Sequence, residues 1–130
     1  MTVLVDIELE LITRATARFP AAVVRDELDN NLLNELPTIQ INQIPGGDDD
    51  GIRLGRMLVD VDVYAATRAD AIALAKEAHR WMTGEVRGSY SETVVFSRVG
   101  ALTLPAVRPY ENTNLRRVGA TYEIFCHPVS

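Results

Sequence analysis

Residues 55–82, GRMLVDVDVYAATRADAIALAKEAHRWM, change their hydrophobic period within one line, and this limits the possible folds more than any other feature. Met57, Val59, Val61 and Val63 recur at every second position, with Asp60, Asp62 and Tyr64 between them. Successive side chains of a strand point to opposite faces, so the pattern predicts a strand with one apolar face and one polar face. The period then lengthens. Ala71, Leu74, Ala75, Ala78, Trp81, Met82 and Val86 recur at spacings of three and four, the stripe of an amphipathic helix, while Lys76, Glu77, Arg80 and Arg87 face away. Thr67 and Asp70 form a Ser/Thr-x-x-Asp/Glu capping pattern at its start. Gly84 and Gly88 suit its fraying end. The small alanines let this helix lie close against the valine face of the strand.

The flanking segments extend this unit. In residues 3–18, Leu4, Ile7, Leu11, Ala15 and Phe19 fall at helical spacing, which predicts a first helix with Thr2 as its cap and Pro20 just beyond its end. Residues 26–35, DELDNNLLNE, read as a short second helix closed by Pro37. Thr38 to Ile44 alternates as a short, half-buried strand, and IPGGDDDG, residues 44–51, reads as a turn-rich mobile loop. Thr93 to Val99 is a strand, with ALTL after Gly100 as a possible continuation, and residues 105–114 form a connection. Residues 115–127 form a long strand with Val118, Ala120, Tyr122, Ile124 and Cys126 on one face and Arg117, Thr121, Glu123 and Phe125 on the other. The expected fold is α+β: one domain over residues 1–130, with a mainly antiparallel β-sheet packed against two α-helices.

A chain of 130 residues is long enough for one hydrophobic core. Its formal net charge of −5 argues against a general nucleic-acid binder, because phosphate contacts require clustered Lys and Arg. A single cysteine, Cys126, excludes an internal disulfide and fits a reducing compartment. No apolar run approaches the roughly 20 residues of a membrane span, and acidic residues stand where a signal peptide would be basic. The expectation is a protein made in the cytoplasm, without a membrane segment.

Catalytic and metal-binding patterns are weak. The contiguous Asp48, Asp49 and Asp50 lack the alternating ligands and the closing Glu of a calcium loop. His79, His127 and Cys126 lack zinc-ligand spacing, and a Cys126–His79 nucleophilic pair has no motif behind it. Asp60 and Asp62 alternate on one strand face, about 7 Å apart, a separation compatible with acid–base work on a glycoside. With aromatics at only 6%, the sugar-stacking residues of such enzymes are scarce. The reading is a non-enzyme with no cofactor and no metal site.

The order of these segments resembles the tail terminator proteins of long-tailed bacteriophages, also called tail completion or tail-to-head joining proteins. The carrying residues are the VDVDVYA strand, Val59–Ala65; the T-x-x-D-A-x-x-L-A helix, Thr67–Met82; and the closing strand with arginine followed by A-T-Y-E-I, Arg116–Cys126. The likeness spans nearly the whole chain in architecture, and its motifs are scaffold patterns rather than catalytic ones. It implies a structural virion protein, assembled in the host cytoplasm. Such a protein forms a hexameric ring on the head-proximal end of the tail tube, ends tube polymerisation and presents the head-docking surface. Its partners would be further copies of itself, the tail tube protein and a head-completion or connector protein, with DNA passing through the channel without specific binding. Other neck or head–tail connector components share this size and order, and a small cytoplasmic enzyme or ligand-binding domain is the reading from a different class.

In such a ring the polar faces become the sites of interest. Asp60, Asp62 and Glu123, opposite apolar core positions, are candidates for the channel or a subunit interface. Arg116 and Arg117 are candidates for pairing with them across subunits. Gly46, Gly47, Asp48, Asp49 and Asp50 form a candidate contact loop, ordered by a basic partner surface or by the next subunit. Replacing both Asp60 and Asp62 by lysine is expected to leave folding intact.

Overall fold

The computed structural model describes residues 6–49 and 55–129, apart from the side chain of Asp49. The elements in chain order are helix α1 (Ile7–Arg18), strand β1 (Val23–Arg25), a 3₁₀ turn (Leu32–Asn34), strands β2 (Thr38–Asp49) and β3 (Gly55–Ala65), helix α2 (Arg68–Arg80) and strands β4 (Val94–Arg108) and β5 (Arg116–Pro128). The five strands form one sheet in the order β1-β2-β3-β5-β4. Only the β1–β2 pair is parallel. The fold is α+β, with a mostly antiparallel sheet and two α-helices.

β3 lies at the centre of the sheet, and its apolar face forms the main core. Val59, Val61 and Val63 are buried together with Ala120, Tyr122 and Ile124 of β5. Both helices supply the other half of this core. α1 buries Ile7, Leu11 and Ala15, all at 0% exposure, and its first turn is capped by Asp6, whose Oδ1 accepts from the Leu9 amide at 3.1 Å. The helix thus starts four residues later than a Thr2 cap would place it, and Thr2 itself lies outside the described residues. α2 begins as its sequence predicts, with the Thr67 hydroxyl accepting from the Asp70 amide at 3.1 Å. It lays Ala71, Ala75 and Ala78 on the sheet.

Past Arg80 the helix widens into a π-helical turn, Trp81–Val86, closed by the Arg87 amide donating to the Met82 carbonyl at 3.2 Å. A π turn accommodates one extra residue, and this one brings Trp81, Met82 and Val86 all into the core. The Trp81 indole meets the Phe19 ring edge-on at 5.8 Å, tying α2 to the end of α1.

Three expectations are corrected, and one element is new. The helix predicted over 26–35 shrinks to the 3₁₀ turn, because its Asp and Asn side chains bond locally: Asp29 accepts from the Asn31 amide and Asn31 accepts from the Asn34 side chain. Of the loop predicted over 44–51, residues 44–49 are strand, and Asp50 and Gly51 lie outside the described residues. β2 continues to Asp49 opposite Gly55, after a bulge in which residues 45–47 stand against Met57 alone. The connection predicted at 105–114 starts later, since β4 runs through Pro105 to Arg108; an edge strand tolerates proline on its unpaired side. The short β1 has no counterpart in the sequence reading.

Candidate interface site

On the face of the sheet away from the helices, β3 presents Asp60, Asp62 and Tyr64 beside Arg117, Gly119 and Thr121 of β5. Asp62 stands opposite Gly119, where a Cβ would overlap the Asp62 carboxylate. The absent side chain makes a slot, and the carboxylate fills it at 1% exposure. Arg117 closes the slot with a bidentate fork, Nε to Oδ1 at 3.1 Å and Nη2 to Oδ2 at 3.0 Å. Arg108 on β4 adds a third bond, Nη1 to Oδ1 at 3.1 Å. Hydrogen bonding to the Asp62 carboxylate holds the Arg117 guanidinium above its ordinary pKa.

Asp60 joins the same network. It accepts from the Thr121 hydroxyl, and Arg108 Nη1 lies 3.5 Å from its Oδ1. Arg108 also donates to the Thr121 hydroxyl at 3.1 Å. Two carboxylates are thus matched by two guanidiniums within one chain. Next to them the Tyr64 hydroxyl donates to Gln40 at 2.9 Å, and burial pushes its pKa up to about 12. Tyr64 belongs to a second, smaller core with Leu32 and Leu115, which covers this end of the polar face.

The sequence-predicted residues therefore separate. Asp62 is enclosed by its own chain and is not a surface group, which corrects its assignment to a channel or subunit interface. Arg117 pairs with it inside the subunit. Arg116 is exposed and donates to the backbone carbonyls of Thr113 and Leu115. Glu123 is 24% exposed and is held by Arg56 at 2.7 Å. Asp60 is 22% exposed, so it and Glu123 keep an edge toward solvent. Replacing Asp62 with lysine would set a third cation beside Arg117 and Arg108, so the lysine double variant is not expected to fold normally.

The Gly46–Asp50 stretch is also redefined. Gly46 takes φ +119°, a backbone conformation that favours glycine, and a Cβ at Gly47 would run into the Arg56 carbonyl. The glycines serve the bulge. Arg56 supplies the counter-charge that aspartates need for order: it donates to the Gly46 carbonyl at 3.1 Å and lies 4.0 Å from Asp48. Asp50 and the side chain of Asp49 lie outside the described residues. Sequence reasoning missed Arg108 as a member of the site because it was assigned to a connection rather than to a strand.

The remaining chemistry-bearing groups are dispersed. His79 Nδ1 lies 2.9 Å from the Tyr122 hydroxyl, whereas the Cys126 thiol faces Met57 Sδ at 3.9 Å. Burial pushes the Cys126 thiol up to about 11, so it is not an activated nucleophile. Among the described residues, no three His, Cys, Asp or Glu are grouped to hold a metal ion, and no helix is long and apolar enough to cross a membrane. Compared with known proteins, the sequence matches no family model and no curated protein.

Proposed function

We propose that the protein is a tail-terminator-like structural component of a phage virion. It would form a ring on the head-proximal end of the tail tube, end tube polymerisation and offer the head a docking surface. One observation supports this reading above the rest. The three segments that carry the family resemblance are packed together as one unit. β3 and β5 pair side by side from Gly55↔Cys126 to Ala65↔Arg116, and α2 lies across both. A resemblance made of unrelated fragments would have no reason to fold into a single strand–helix–strand core.

The chemistry of the polar face is consistent with a scaffold. Its charges are matched within the subunit, and fixed ion pairs of this kind order a surface rather than drive a reaction. The tube protein, the head-side connector and passage of DNA through the ring belong to the same proposal. Disrupting the reading frame in its genome of origin should yield filled heads separated from overlong tails. Normal yields of infectious particles from the disrupted genome would contradict the proposal.

A further inference from the structure

We infer that the chain associates head to tail with a second copy of itself, the outward leucines of β4 seating in the groove along α2. This names the contacts of the ring put forward above and rests on that reading only for the closing of the ring.

β4 is an edge strand, paired with β5 on one side only. From Val99 to Val107 it carries no charged residue, in a chain that is 24% charged. It also gains residues on β5 at three places: between Phe96 and Arg98, between Ala101 and Thr103, and between Thr103 and Ala106. The second gain falls at Leu102 and the third at Leu104–Pro105. Bulges re-aim side chains, and these leave Leu102 at 51% and Leu104 at 70% exposure, with Val107 at 48%.

The displacement is fastened by polar contacts of the chain itself. The Thr121 amide donates to the Thr103 hydroxyl at 2.9 Å, where a ladder bond to the backbone would otherwise form, and Arg108 donates to the same hydroxyl at 3.4 Å. Pro105 turns the other way and lines a small void with Val61, Val63 and Ala78. The leucines are thus held out in place, on an uncharged edge of a kind that proteins otherwise cover or blunt with charge.

The complementary surface is on the same molecule. Between α2 and the Leu36–Pro37 turn runs a groove of about 1150 Å³ with Leu36, Ala65, Ala69, Ile72 and Ala73 in its lining. On its rim Glu77 and Arg80 are paired with each other, and Arg68, Lys76 and Asp70 have no ion pair or side-chain hydrogen bond among the described residues. Glu111, exposed and likewise unpaired among them, follows β4 by three residues. A convex apolar strip with the exposed Arg98 before it and Glu111 after it therefore meets a concave apolar groove whose unpaired rim charges are Arg68, Lys76 and Asp70, so that each surface offers both signs to the other. Contact between two different patches is heterologous, and copies joined in this way close into a ring or continue as a filament.

The test is the mass of the assembled protein in solution, for the wild type, the double variant Leu102→Glu/Leu104→Glu and the groove variant Ala73→Glu. The wild type should assemble and each variant should be a folded monomer with a nearly unchanged thermal melt. Mixed together, the variants should form a dimer and nothing larger, because each retains the one surface the other lacks. Should the leucine variant not fold, Glu111→Lys and Lys76→Glu carry the same question: each alone should raise the assembly midpoint severalfold, and both together should restore it. Variants that assemble like the wild type, or mixtures that stay monomeric, would overturn these contacts and leave the ring reading standing. A monomeric wild type would overturn both.

Discussion

The two faces of the central strand differ in what secures them. On the helix side of β3, Val59, Val61 and Val63 are held by shape: alanines of α2 come close, and Tyr122 and Ile124 of β5 fill the sides. On the opposite side Asp62 is as deeply buried as those valines, but charge secures it, through one guanidinium from the adjacent strand and another from the strand beyond. Apolar burial is non-directional and tolerates small adjustments. A buried carboxylate is tolerated only while its partners stay in place. The same strand thus carries a forgiving face and an exacting one.

The largest effect expected is on the forgiving face, where the most volume is at stake. Trp81→Ala removes the indole that joins α2 to Phe19, at a site 4% exposed, and should cost about 3–5 kcal/mol in chemical denaturation. A midpoint that hardly moves would place Trp81 outside the core. Asp62→Ala should come next, at about 3 kcal/mol, the low end for breaking a buried pair because the two guanidiniums retain some contact with water. A loss below that of an ordinary surface substitution would mean that the network adds nothing.

Gly119→Ala asks whether the slot matters. The new methyl group competes with the Asp62 carboxylate for the same space, so a loss of about 1–3 kcal/mol is expected. Combined with Asp62→Ala it should cost less than the sum of the two, since the clash is then gone. Glu123→Gln sharpens the comparison from the weak side. Its pair with Arg56 is about a quarter exposed, so the expected change is below about 1 kcal/mol despite a separation of 2.7 Å. A loss equal to that of Asp62→Ala would show that burial is not what separates the two acids.

Legibility in the sequence followed the same division. The helix-side core, the Thr67 cap and the alternating strands were readable, because period and capping are local properties of consecutive residues. The polar face was only half readable. Alternation located Asp60, Asp62 and Arg117 on it, but the burial of Asp62 depends on Gly119 lying across the ladder and on Arg108 arriving from β4. Both are facts of register between strands far apart in sequence. Pro105 and the Pro45-Gly46-Gly47 run were misleading for a related reason. Each signals a break locally, and tertiary pairing converts each into a bulge that lets the strand continue. The π turn at Trp81 likewise leaves no sign beyond a stripe of apolar residues that shifts its spacing after Met82.

Assembly with copies of itself is the role proposed here for this scaffold. Mass measurement of the purified protein in solution, with imaging of the particles it forms, tests that most directly. The account predicts a closed ring with an open centre, about 86 kDa for six chains of 14.4 kDa each. A monomer that persists at high protein concentration would contradict it.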